Sequence, residues 1–126
     1  LYCSFAFCEP IRYLRFLMSE QENGDYTSPA PGEIDKLIHE PARLMIVANL
    51  YVVESADFTF LMNRTGLTWG NVSSHLAKLE QAGYVTVEKT FVGKRPYTLL
   101  SLTENGRSAF QTYRETMAQV FDNLPE

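Results

Sequence analysis

The sequence predicts a mainly helical α+β domain in which short helices lead into a small β-hairpin and a longer helix closes the chain. Three observations predict it. Val72, Leu76 and Leu79 recur at i, i+4 and i+7, one apolar stripe of a helix whose other faces are small and polar. From Tyr84 to Phe91, Val85 and Val87 alternate with Thr86 and Glu88, and Tyr97 to Leu102 is rich in strand formers. Finally, Thr103 stands before a broad stripe of Phe110, Tyr113, Met117, Val120, Phe121 and Leu124.

At 126 residues with 45% apolar content, the chain is sized for one domain with a real core. No apolar run is long enough to span a bilayer. The first 17 residues, LYCSFAFCEPIRYLRFL, differ in character from the rest of the chain and precede Met18, so they are expected to be an upstream extension with translation starting at Met18. A secretory signal fits less well, because Glu9, Arg12 and Arg15 interrupt the apolar portion. Cys3 and Cys8 have no accompanying ligands, so neither a metal site nor a redox clip is expected, and the absence of further cysteines suits a reducing cytoplasm. Residues 18–33 are polar and broken by Pro29, Pro31 and Gly32, which reads as a flexible leader to a domain spanning 34–124.

The domain opens with one turn of apolar contacts from Ile34, Leu37 and Ile38. Pro41 suits the first turn of a new helix, and 42–53 is apolar on nearly every side, a helix expected to be buried all round. Asp57 caps a short helix that turns Phe58, Leu61 and Met62 inward. Gly66 supplies the positive φ of a tight helix-to-helix turn, Thr68 caps the next helix, over 68–82, and Gly83 stops it. Val92, Gly93, Lys94, Arg95 and Pro96 then form a basic hairpin tip. A helix-turn-helix followed by a basic hairpin is the winged helix-turn-helix arrangement.

The stretch from Asp57 to Phe110 also resembles the small winged-helix transcriptional regulators of the MarR and ArsR groups. It is most similar to a compact subfamily with a GNxSxHLxKLExAGYV recognition helix, a KxFxGxRP wing and an LTxxGRxA start to the last helix. These blocks fall at Gly70 to Val85, Lys89 to Pro96 and Leu102 to Ala109, and the whole resemblance spans about 33–122. It implies the winged-helix fold and double-stranded DNA as partner.

Charge distribution agrees with that partner better than the total does. Net charge is −4, yet residues 58–98 hold five basic and two acidic residues, a local +3. On the recognition helix, Thr68 and the N–H groups up to Gly70 favour a phosphate. Asn71 and Ser74 are candidates for base edges, Asn71 because its amide can pair bidentately with adenine. Trp69 either packs on a sugar or thymine methyl or staples the helix start to the core. Gly70 costs the helix ~1 kcal/mol relative to alanine, and close approach of its backbone to DNA is one reason to keep it. Ser73 contacts phosphate or solvates the helix, and Lys78 should reach a phosphate. Lys94 and Arg95 should lie along the backbone or enter the minor groove.

An apolar first helix and the broad stripe of the last one exceed what one such core needs, which points to a homodimer through these two helices, although simple packing of one on the other within a subunit also accounts for them. A symmetric dimer would read a pseudo-palindromic site. His75 is expected to be a hydrogen-bonded structural residue, and His39 to sit at a helix end. Two isolated histidines, no thiolate or acidic cluster and no phosphate-binding glycine loop argue against an enzyme, and no cofactor or metal is expected. Two other functions fit the residues. One is a winged helix used as a protein-interaction module. The other is a sensor in which Tyr51, Phe60, Phe110 and Tyr113 enclose a lipophilic effector.

Overall fold

The computed structural model describes residues 28–125, so the expectations for the upstream extension, the two cysteines and most of the leader lie outside the described residues. A 3-10 turn at Pro31–Glu33 is followed by four α-helices and one hairpin: α1 Pro41–Val52, α2 Phe58–Thr65, α3 Trp69–Gln81, β1 Val85–Val92, β2 Arg95–Leu102 and α4 Glu104–Asp122. This is the predicted α+β arrangement. No helix among the described residues is long and apolar enough to cross a membrane.

Helix starts are set by short polar side chains. Glu40 accepts the N–H of Arg43 at 2.8 Å, Asp57 that of Phe60 at 2.7 Å, Thr68 that of Asn71 at 3.3 Å and Thr103 that of Gly106 at 3.0 Å. Each bond satisfies a donor that the helix itself leaves free, worth about 1 kcal/mol. The N–H of Arg43 also holds the Glu40 carboxyl below its ordinary range. The turn between α2 and α3 closes through Gly66 at φ +73°, where its N–H reaches the Met62 carbonyl.

The core is built on α1. Ile46, Val47 and Leu50 are completely buried, and α2, α3, β2 and α4 all contact this helix. Leu61 from α2, Val72, Leu76 and Leu79 from α3, Val85 from β1, Leu100 and Leu102 from β2 and Phe110 and Tyr113 from α4 join it, with Ile38 and Ala56 from the connecting segments. Burying each such side chain contributes roughly 1.5–3 kcal/mol. Contrary to the expectation from its composition, the helix is not buried all round within the single chain: Val52 is 84% exposed and Met45 is exposed as well. Four elements cannot cover the whole circumference of a twelve-residue helix, and the uncovered strip faces solvent in the single chain.

Ile34 to Ile38 form hydrogen-bonded turns and no helix, with the Asp35 carboxylate taking the N–H groups of Leu37 and Ile38. His39 therefore ends no helix. It lies just before the start of α1 and its Nδ1 is 2.8 Å from the Tyr113 hydroxyl. Burial raises the Tyr113 phenol above its ordinary range.

The strands pair antiparallel from Val85 with Leu102 to Val92 with Arg95. Only Gly93 and Lys94 are left as the loop, shorter than the predicted five-residue tip, with positive φ at Gly93 alone, the pattern of a type II′ turn. A third strand position escaped the sequence: Ala56 exchanges both backbone bonds with Leu100 at 2.8 Å.

A knot of contacts joins the end of α3 to the start of α4. Thr103 donates its hydroxyl to the Gly83 carbonyl at 2.6 Å and its N–H to the Tyr84 carbonyl at 3.0 Å. Gly106 packs against that carbonyl so closely that a Cβ there would overlap it. The Tyr84 hydroxyl in turn donates to Asp35 Oδ2 at 2.6 Å, and this bond to a carboxylate raises the phenol to about 12, with burial adding to it.

Two outcomes are expected. Gly106→Ala should lower stability by about 2 kcal/mol or more in a denaturant melt, because the obstructing atoms are backbone and cannot swing aside. A tyrosine whose folded pKa lies above its unfolded value stabilises fully below pH 10 and loses that contribution as pH rises to about 12. Stability should therefore fall over that interval, and Tyr84→Phe should flatten the fall without removing it, since Tyr113 is shifted the same way.

Candidate nucleic-acid interface

The exposed surface of α3 is a consequence of how its inner face is spent. Val72, Leu76 and Leu79 are buried, so the residues half a turn away must face water. At spacings of four, three and four, Gly70, Ser74, Ala77 and Gln81 form the centre of that outer face, and all four are exposed. Ala77 and Gln81 are absent from the residues picked out by sequence, although the spacing from Gly70 and Ser74 contains them.

Candidate residues divide between two flanks of this stripe. Asn71 and Lys78 lie on one side and are exposed. Trp69 and Ser73 lie on the other, where they line a cleft with Ala77, Glu80, Val87, Lys89 and Thr98 between α3 and the hairpin. Ser73 is half-buried there, turned toward the wing. Trp69 staples the helix start and still offers a surface: its ring stacks on Phe58 with centroids 5.7 Å apart, yet the residue remains 61% exposed. Thr68 uses its hydroxyl oxygen as the cap, which leaves the N–H groups of Trp69 and Gly70 without intrahelical acceptors at the positive end of the helix dipole.

No atom lies within 4 Å of a Cβ placed on Gly70, and its φ is in the ordinary range. Nothing inside the fold therefore requires glycine at this position. His75 is packed, as expected, its Nδ1 3.4 Å from Arg43 Nη1 and 3.8 Å from the Glu40 carboxylate. Among the described residues no group of three or more His, Cys, Asp or Glu side chains converges as a metal site would need.

On the wing, Lys94 occupies the turn itself. Arg95 pairs with Val92 at the end of the ladder. Because side chains alternate along a strand, Arg95 shares a face with Val92, Thr90 and Glu88, while Lys89 belongs to the opposite face, with Val87, which lines the cleft. The two basic residues that the sequence groups at one tip thus occupy different settings, one in the loop and one in the ladder.

Residues 42–121 match the family model described as a winged helix DNA-binding domain. The chain belongs to that family. This winged helix is similar to an uncharacterised protein of Methanocaldococcus jannaschii, 35% identical over 89 residues that make up 71% of this chain and 97% of the relative. Among solved structures, it is similar to a transcriptional regulator homologue from Pyrococcus horikoshii OT3, with TM-score 0.67 and 29% identity over 71% of this chain and 89% of that one. It also shares its fold with a regulator of the MarR family from Enterococcus faecalis V583, with TM-score 0.56 and 23% identity over 70% and 84% of the two chains.

For the fold alone, Gly70→Ala should raise stability by up to ~1 kcal/mol, read as a higher midpoint in thermal or urea melts. A loss of stability would mean that the backbone at this position needs glycine after all.

Proposed function

We propose that this winged helix is a sequence-specific, double-stranded DNA-binding transcriptional regulator, with α3 in the major groove and the wing on the adjacent backbone or minor groove. The observation that carries the reading is the outer face of α3. It is exposed, offers Asn71, Ser74 and Gln81 as hydrogen-bonding groups and Lys78 as a cation, and is flattened by a glycine that the fold does not require. A major groove about 12 Å wide accepts such a face, and small residues let the helix backbone approach the base edges. Asn71 and Ser74 are assigned to base edges, and the free N–H groups at Trp69 and Gly70, with Thr68, to a phosphate. Lys78, Lys94 and Arg95 neutralise further phosphates, and Trp69 and Ser73 support the rim toward the wing.

The reading includes a homodimer. Met45 and Val52 on α1, Phe121 in the last turn of α4 and Leu124 just beyond it are large apolar residues that the single chain leaves exposed. A second copy related by a two-fold axis would cover them. It would also present two α3 helices to successive major grooves about 34 Å apart, so the site should be pseudo-palindromic.

An effector reading has one observation in its favour. Tyr51, Phe110 and Tyr113 line an open groove of about 780 Å³ between α1 and α4. Phe60, the fourth residue of the predicted pocket, is elsewhere, under the Arg64 guanidinium at 5.5 Å. The groove is continuous with Phe121, so an effector there would compete with or modify the dimer contact.

The test is fluorescence anisotropy of the protein on a labelled duplex from the region upstream of its own gene and on a scrambled duplex, across a salt series. Tight, salt-dependent binding that prefers the upstream duplex is expected, and no binding at low salt would overturn the reading in favour of a protein-interaction module. Asn71→Ala should cost ~1–3 kcal/mol and relax preference at one base position. The double replacement of Lys94 and Arg95 by alanine should weaken binding to all sequences alike, and Gly70→Ala should weaken binding while stabilising the fold. Light scattering should report a dimer at micromolar concentration; a monomer would remove the two-fold operator.

A further inference from the structure

The wing carries a feature that phosphate neutralisation does not use. Phe91 is 71% exposed, and it pairs across the ladder with Pro96. The face on which they lie follows from the register. Leu100 is buried and gives both its backbone groups to Ala56, away from β1, so Val87 and Leu100 are a non-hydrogen-bonded pair. Pairs alternate, and Phe91 with Pro96, four residues further along, is the same kind. The missing N–H of Pro96 therefore breaks no bond to β1, and the two side chains stand at the closer of the two cross-strand spacings.

By the same parity, Val87, Lys89 and Phe91 share one face with Leu100, Thr98 and Pro96. Val87, Lys89 and Thr98 line the cleft beside Trp69 and Ser73, so this is the side that looks toward α3. Strand residues on it include one cation and no carboxylate, whereas Glu88 lies on the other face. Glu80, the acidic residue of the cleft, is in the last turns of α3, which lead into the base of the wing. From Leu100 to Arg95 the strand extends ~16 Å, enough to carry the tip from a helix in the major groove to the neighbouring groove.

We propose that Phe91 and Pro96 form an apolar wedge that enters the minor groove of the bound duplex beside a flexible pyrimidine–purine step, with Lys89 and Lys94 holding the phosphates on either side. Apolar side chains, Phe and Pro among them, are the residue types that proteins press between base steps in that groove. The wedge would favour sequences that open easily there, giving specificity at positions that no hydrogen bond reads. It rests on the DNA-binding role proposed for this winged helix. It differs from phosphate neutralisation in the kind of energy involved: the wedge acts by burying apolar surface and releases no counterions.

The salt series separates the two. On the upstream duplex, Phe91→Ala should weaken binding by about ten-fold or more at every salt concentration, with the slope of log affinity against log salt unchanged. Phe91→Leu should recover most of the loss. Replacing Lys94 and Arg95 by alanine should instead reduce the slope by roughly 0.9 for each phosphate contact removed. Phe91 touches solvent over most of its surface, so its variants should melt with the parent protein, and the melt is recorded with each. Replacing the flexible step nearest the wing by a stiff A-tract should erase the difference in affinity between the parent protein and F91A. If F91A binds as tightly as the parent, or loses affinity through a smaller slope, the wedge is wrong and the DNA-binding role stands. If the parent binds no duplex at any salt, both fall together.

Discussion

Everything in this fold depends on the burial of α1. Ile46, Val47 and Leu50 provide the surface on which α2, α3, β2 and α4 all settle, and none of those elements has an apolar face broad enough to stand alone. The eight residues of α2 and thirteen of α3 are short for independent helices, so their orientation is inherited from the central one. The exposed face of α3 follows by subtraction. Once three residues of α3 are committed to α1, the identity of the outward residues is free to be set by something other than folding. Gly70, with open space where a side chain could stand, marks that freedom.

Charge and polarity are arranged around the same helix. Glu40 caps its start, and its carboxylate lies near both Arg43 and His75, so the beginning of α1 touches the flank of α3 through polar contacts. At the other end, Arg107 of α4 donates to the carbonyls of Tyr51 and Val53, placing a cation where the helix dipole is negative, and packs over the Tyr51 ring. These contacts tie α3 and the last helix to opposite ends of α1.

Much of this was legible in the sequence because the signals are local. Asp57, Thr68 and Thr103 are caps by chemistry, Gly66 and Gly83 are stops by conformation, and the apolar stripes give the inner faces by spacing. What was not legible depends on pairing between distant residues. Ala56 gives no strand signal in its own neighbourhood, and only its bonds to Leu100 make it one. Pro96 beside Lys94 and Arg95 reads as loop, yet the register gives it a ladder position where an N–H is not needed. The face on which Arg95 or Phe91 stands is likewise a property of two strands. In the candidate interface, most of the α3 residues could be named from sequence, while their division into a central stripe and two flanks needed the axis of the helix and the position of the wing.

The contacts that tie Thr103 and Gly106 to Gly83 and Tyr84 make a pivot with no slack, because backbone meets backbone there. Beyond it, the nineteen residues of α4 form an arm roughly 28 Å long. A rotation of about 5° at such a pivot carries the far end of the arm roughly 2 Å, and the same geometry works in reverse. Phe110 and Tyr113 seat the near half of that arm in the core, so a small tilt at the joint is felt mainly at the distal turns around Phe121, which the single chain leaves exposed.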